Sequence, residues 1–565
     1  MTRTVDERSE QHVADVCRLD PVTATYLGVA GHDTELTDYS PEGYEARLDL
    51  ARSALRDVTA ATPVDEREAV ARDAFLERTG LEVEYDEAGF ARAEINVIAS
   101  PVQAIREVFD LMPTEEPEHW EAIAARLDAV PAALAGLRVT LAEEAAHGRV
   151  SAARQYAQVA AQVERWTTGS GVFADLVARG VAAGTVPAGL QPALERGAAA
   201  ATRAYADLGL FLSDEMEPRG RRVEAVGPEQ YALASRLFLG TTIDVEETYA
   251  WGWEELARIE ADMAATAARV TPDAAGVAGD EAIRRAVAVL EGDLSRRIEG
   301  REAFRDWMQQ LADTTVAHLA DVHFDIPDPM RRIECCLAPT NEGGIYYTGP
   351  SEDFSRPGRM WWSVPEGVDT FHPWRETTTV FHEGVPGHHL QVGQTAYRSE
   401  LLNRWQRTLC WVSGHGEGWA LYAERLMDEL GHLDDPADRL GMLDAQGFRA
   451  ARVIVDIGMH LQLEIPADNP FGFHPGERWT PELGLEFMRQ HSRDDDATIR
   501  FEVDRYLGWP GQAPSYKVGE RVWLEMREAA QRRHGSAFDL KAFHRAALDL
   551  GSMGLDPLAT ALARV

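Results

Sequence analysis

The chain has 565 residues, enough to bury a large core without disulfides or a stabilising metal. Its 93 acidic against 56 basic residues leave a formal charge of −37, which repels phosphate backbones and anionic bilayers, so neither nucleic acid nor a membrane surface is expected as a partner. The four cysteines, Cys17, Cys335, Cys336 and Cys410, show neither CxxC spacing nor a secreted disulfide framework. Residues 1–17 lack the apolar core of a signal peptide, and no stretch reaches the roughly 18–20 apolar residues of a membrane span. The expectation is a soluble, cytoplasmic protein.

In chain order, apolar residues recur at three- and four-residue spacing through Trp120, Ile123, Leu127, Val130, Leu134, Leu137 and Leu141, which is the period of a helix. The same pattern predicts helices over 152–177, 192–212, 245–270, 281–294 and 304–322, separated by Gly, Pro and Asp. After residue 325 Pro, Gly, aromatic and β-branched residues become frequent. Short strands are predicted there, over 332–337, 345–348 and 360–364. Helix resumes near 377 and dominates to the end, interrupted around 468–479 and 509–514. The fold class expected is mostly α, with one small sheet. A helical N-terminal half, 1–325, is expected to face a catalytic half, 326–565, across a cleft.

The segment HEGVPGHHLQ, from His382 to Gln391, begins like the zinc-peptidase pattern HExxH. In that pattern two histidines one helical turn apart hold zinc and the intervening Glu acts as general base on water. Here Pro386 stands where the second His should be. On an unbroken helix His388 would point about 120° away from His382, and His389 would share its face roughly 10 Å further along. A Pro-Gly pair can bulge a helix by two residues and return His388 to the missing position. The alternative is His389 as ligand with His388 behind it.

An open zinc site needs a third protein ligand. Glu417, in GEGWALYAE, follows His388 by 29 residues, room for a loop and a returning helix. Glu424, seven residues on, shares its face and is placed to orient a histidine ligand. Three His and a Glu within eight residues, followed by this acidic helix, weigh against chance helix-end histidines and a solvated stripe. The helix predicted over 445–463 carries Arg449, Arg452, Asp456 and His460 on one narrow stripe among apolar faces, read as a buried network or as substrate contacts. Tyr516, just before a helix beginning near Val518, is the first choice to stabilise the oxyanion. Lys517 is a candidate anchor for a substrate carboxylate, and Tyr506 and Gln512 are weaker candidates of the same kind. The aromatic strands at 345–348 and 360–364 offer an edge to which a peptide can add as a further strand.

The strings HEGVPGHHLQ and GEGWALYAE, with RAARVIVDIGMH (449–460), PGQAPSYKVGE (510–520) and FHRAALDLGSMGLDPL (543–558), resemble the bacterial domain-of-unknown-function family 885, grouped with gluzincin-like metallopeptidases. The resemblance implies a helical, two-lobed, oligopeptidase-like zincin fold with a deep channel. It also implies one zinc ion held by His382, His388 and Glu417, with Glu383 as general base. The expected partner is a short peptide; the rival readings are a zinc amidase acting on a non-peptide metabolite and a non-catalytic metal- or peptide-binding protein. Oligomeric state leaves no signature in the sequence.

Overall fold

In the computed structural model, the structure describes residues 4–272, 276–277, 279–338 and 344–564. The chain divides into two compact units, Met1–Leu233 with Arg500–Pro510, and Ala234–Ile499 with Gly511–Val565. The boundary therefore lies far from residue 325. The change of texture at 325 marks the arrival of strands, whereas packing assigns the preceding helices to the second unit.

The first unit is helical. Its longest helix, Pro117–Ala146, turns the predicted apolar stripe fully inward, from Trp120 to Leu141, against Leu194, Ala198, Ala201, Tyr205 and Leu208 of helix Gln191–Phe211. The single helix predicted over 152–177 is two, Ala153–Thr167 and Val172–Ala183. Gly169 and Gly171 both adopt positive φ between them, a conformation that ends a helix and that glycine adopts without steric penalty.

In the second unit helix Val245–Val270 lies on helix Pro436–Leu461, where Gly252 admits Val453 and Ile454 at contact distance. Among the described residues the sheet has three strands, Ile333–Leu337, Gly358–Trp362 and Ile345–Thr348, in that spatial order; the first pair is parallel and the second antiparallel. A two-stranded ladder joins Ile298–Glu299 to Thr370–Phe371. Helix Arg301–Leu319 packs under the sheet through Phe304, Met308 and Ala312, which meet Ile333, Cys335, Met360 and Trp362. The last strand begins at Gly358, two residues before its predicted start, and its alternating burial starts there too. The cysteines are free thiols, and no helix among the described residues is long and apolar enough to cross a membrane.

Two buried imidazoles are expected to make this fold acid-sensitive. His12 packs edge-on against Phe75, and burial, opposed by Asp15, pushes its pKa down to about 4. His544 stacks on Phe324 and is pushed down to about 3, by burial first. Between the ordinary value of 6.5 and these lowered values the unfolded chain binds protons that the folded chain refuses, so stability falls as pH drops through that window. We expect the urea midpoint to be lower at about pH 5 than at about pH 7.5, and the drop to shrink in His12→Met. A wild-type midpoint that does not move would show that these rings contribute nothing to acid sensitivity.

Candidate metal centre

Helix Pro373–Glu383 starts on Pro373, whose missing N–H is no loss at a first helical position. It ends at Glu383: Gly384 N–H donates to the Val380 carbonyl at 2.9 Å and Gly387 N–H to the Phe381 carbonyl at 3.1 Å, and the Val385–Pro386 peptide between them is cis. A second helix, His388–Tyr397, begins at once. The expected bulge within one helix is thus a complete break. Pro386 has no N–H for a continuing ladder, and a Cβ on Gly387 would overlap the His382 carbonyl. The break brings His388 back beside His382, ring centroids 4.8 Å apart and planes at 89°.

Helix Ser413–Glu429 delivers the third group. Glu417 Oε2 stands 3.3 Å from His382 Nε2 and 3.4 Å from His388 Nε2. Donors bonded at about 2.0–2.2 Å to one tetrahedral ion stand about 3.3–3.6 Å from each other, so these separations fit zinc. Glu383 also approaches, with ligand-type atoms of His382, Glu383 and His388 all within 4.8 Å of one another. Either carboxylate stands close enough to both imidazoles to complete a donor set, Glu417 at 3.3–3.4 Å and Glu383 within 4.8 Å. Glu417 Oε2 and Glu383 Oε2 are buried and accept no hydrogen bond, an arrangement that a cation satisfies and that an apolar surround does not. Behind His382, Glu424 Oε1 takes its Nδ1 at 2.7 Å, and Thr378 Oγ1 donates to Glu424 Oε2 at 2.9 Å. This is the carboxylate–histidine arrangement that fixes the tautomer of a metal ligand.

The electrostatics follow from these neighbours. Burial disfavours a charged His382, but Glu417 and Glu424 outweigh it and raise the pKa to about 10. Burial likewise opposes a charged Glu417, and the two imidazoles outweigh that and hold its carboxyl well below the carboxylate range. Glu383 is raised, by burial first, against the pull of His382, His388 and Arg449. These donors could hold a divalent cation.

Close backbone packing holds the ligand helix. A Cβ at Gly418 would meet the Gly519 carbonyl carbon at 2.5 Å, so helices Ser413–Glu429 and Ser515–His534 cross nearly backbone to backbone. Ser413 Oγ and Ser515 Oγ share a hydrogen bond of 2.8 Å, and Trp419 Nε1 donates to the Pro386 carbonyl at 2.8 Å. Gly416 is small because the Trp411 indole lies over it.

Residues 21–562 match the model of the family described as bacterial protein of unknown function (DUF885). The chain belongs to this family. Two solved structures resemble it along nearly their whole lengths. One is described as a putative lipoprotein from Colwellia psychrerythraea, 21% identical with a TM-score of 0.83, covering 99% of this chain and 98% of its own. The other is described as a putative lipoprotein of unknown function from Shewanella oneidensis, 17% identical with a TM-score of 0.73, covering 99% of this chain and 100% of its own. These likenesses establish the fold that this family member shares with them. No curated protein matches the chain.

Within this family fold, His389 is not a metal ligand. Its Nε2 donates to the Met330 carbonyl at 2.9 Å and its Nδ1 pairs with Tyr347 Oη at 2.9 Å, so both ring nitrogens are committed. Lys517 is not a carboxylate anchor either. It is buried, and its Nζ meets Gln446 Oε1 at 2.6 Å, Glu255 Oε1 at 3.0 Å and Glu520 Oε2, which uses its three N–H directions. Tyr506 belongs to the first unit, where its hydroxyl donates to Glu502 at 2.6 Å. Asp456 is buried and accepts the Gly511 N–H at 3.0 Å, with His460 Nε2 3.9 Å from its other oxygen, so this part of the stripe fastens the loop before Tyr516. Gln512 donates to Ser413 Oγ at 3.5 Å and its carbonyl accepts the Ser515 hydroxyl at 2.6 Å. Arg452 lies over the rings of Phe448, at 4.5 Å, and Tyr516, at 5.0 Å. Tyr516 itself is half-buried on the first turn of its helix.

Three neighbours of the centre went unassigned in the sequence. Arg449, on the stripe read as a buried network or as substrate contacts, donates to the Ala445 carbonyl at 3.2 Å, and its positive charge favours the ionised forms of Glu383 and Glu424. Trp411, half-exposed, lies 6.0 Å from the His388 ring. Tyr347 reaches His389 from a strand with no motif of its own. From the geometry, Glu417→Ala should abolish stoichiometric zinc binding, and Glu424→Ala should weaken it about 10–100-fold, measured by titration with a competing chelator. Wild-type affinity in Glu424→Ala would mean that this carboxylate does not orient the ligand.

Proposed function

We propose that the protein is a zinc-dependent hydrolase that cleaves peptide bonds of short peptides, with a gluzincin-like site. The observation that carries this reading is the meeting of His382, His388 and Glu417 at 3.3–3.4 Å with Glu383 adjacent in sequence and in space. A protein that only stored or sensed zinc would need the three ligands and would have no use for a fourth, unligated carboxylate beside them. Zinc bound there would polarise a substrate carbonyl and lower the pKa of water.

The chain's own groups have complementary tasks. Glu383, raised by burial and restrained by nearby positive charge, is suited to take a proton from water and return it to the departing amine. Tyr516 would donate to the oxyanion, with Arg452 over its ring favouring the partial negative charge that develops on the phenol. Trp411 offers an apolar face next to His388 for a substrate side chain.

The test is incubation of the zinc-loaded protein with a defined mixture of short peptides, read by mass spectrometry, with and without chelator. Cleavage should stop with chelator, and Glu383→Gln should lower kcat about 10²–10⁴-fold while zinc stays bound. Cleavage that survives chelation, or full activity in the Gln variant, would remove this reading. Metal retained with no peptide turned over would favour a non-peptide amide as substrate. A cytoplasmic setting remains our proposal, testable by fractionation; both solved relatives are described as putative lipoproteins, so recovery with membranes would overturn it.

A further inference from the structure

Trp411 stands in the short segment between helix Arg404–Thr408 and helix Ser413–Glu429, which carries Glu417. Its neighbours in the chain are fixed. The Cys410 N–H donates to the Trp405 carbonyl at 3.0 Å and the Cys410 thiol to the Ser552 carbonyl at 3.1 Å, while the Val412 carbonyl accepts the Gly416 N–H at 2.9 Å as the helix begins. Cys410 and Val412 are 5% and 1% exposed, yet Trp411 between them is 51% exposed. The backbone on either side is anchored in the interior and the indole is held out from it.

Two contacts set where the indole lies. Its ring centroid is 6.0 Å from that of His388, with the planes at 57°, and its benzo edge, Cζ2, Cζ3 and Cη2, occupies the space that a Cβ on Gly416 would fill. Gly416 directly precedes Glu417. Glycine weakens a helix relative to alanine, so the first turn of this helix gives up stability to admit the ring. His382, Glu383 and His388 are buried, whereas the indole beside them stays half open to water. Single exposed apolar side chains are ordinary on a protein surface. One seated in this way at the rim of a buried polar cluster leaves its uncovered face to whatever approaches those groups.

Resting on the hydrolase reading above, we propose that Trp411 sets side-chain selectivity: it binds a large apolar side chain, best an aromatic one, on a residue flanking the scissile bond. Laying such a side chain on the indole removes apolar area from water on both partners, and an aromatic ring adds the edge-to-face or offset packing that two π-systems favour. An alanine at the same place covers little of the ring. A cationic side chain gains less than an aromatic one, because at a half-exposed ring water competes for the charge. The contact is made away from the bond that breaks, so it is equal in the ground and transition states and acts on KM rather than kcat.

The experiment takes a peptide that the wild type cleaves and changes the residue on each side of the scissile bond in turn to Phe, Leu, Ala and Lys. At one of the two positions kcat/KM should be about 10-fold or more higher for Phe than for Ala, with Lys no better than Ala. Trp411→Ala should bring that preference to within about threefold of none, through KM, and Trp411→Phe should restore most of it. Binding gives a reading free of turnover. In zinc-loaded Glu383→Gln, calorimetry should show the Phe peptide bound about 10-fold more tightly than the Ala peptide, a difference that Trp411→Ala removes while zinc content and the urea midpoint stay as they were. A Phe preference that survives Trp411→Ala, a Lys preference in the wild type, or an equal loss on every peptide would overturn the proposal and leave the hydrolase reading standing. A zinc-loaded wild type that cleaves no peptide would remove both.

Discussion

Two imidazoles on one helix can share an ion only if they sit a turn apart, and here the spacing between them is six residues. Everything at this centre depends on how the chain absorbs the surplus. It breaks the helix: the segment 384–387 carries the backbone out of one helix and into another, so that His382 closes the first and His388 opens the second. Because the two histidines sit on different helices, the tie between Trp419 and the Pro386 carbonyl gains importance. It joins the break to the helix that carries Glu417, and so sets the third donor against the other two.

The same economy of space recurs around the centre. Gly387, Gly358, Gly416 and Gly418 have different neighbours, respectively the His382 carbonyl, the Tyr347–His389 pair, the Trp411 indole and the backbone of Gly519. In each case a single added carbon would push a group with a task away from its place. Close approach explains why glycine stands at these positions. The cost is backbone freedom in the unfolded chain, and the helices Ser413–Glu429 and Ser515–His534 offset it with buried contacts along their lengths.

Much of this was legible in the sequence because local periodicity encodes it. Glu417 and Glu424 share a helix face at seven-residue spacing, and the apolar stripe from Trp120 to Leu141 faces inward as its period requires. The choice between His388 and His389 was not legible, since an ideal helix suits neither. It is decided by the Met330 carbonyl, 59 residues earlier in the chain. Lys517 at a helix start reads as exposed; its acceptors come from Glu255, Gln446 and Glu520, two of them distant. The domain boundary failed for a related reason, because the pairing of helix Val245–Val270 with Pro436–Leu461 leaves no mark in either segment alone.

The buried charges nearby bear on rigidity. Lys517, Glu255, Glu520 and Arg425 form a connected group, with Arg425 Nε on Glu520 at 2.6 Å, and burial of Glu255 is outweighed by Arg258 and Lys517, which bring its pKa down to about 2. Desolvating such ions costs about as much as their attraction returns, so the group is weak evidence for added stability. Its effect is directional instead: an ion pair out of register leaves buried charge unpaired, so the helices bearing Arg425, Gln446 and Lys517 are held to one relative placement. Two of those helices carry Glu417 and Tyr516, and the third carries Arg449 and Arg452. Neighbours that tolerate no slippage fix the relative placement of the side chains gathered around His382, even where they contribute little net free energy.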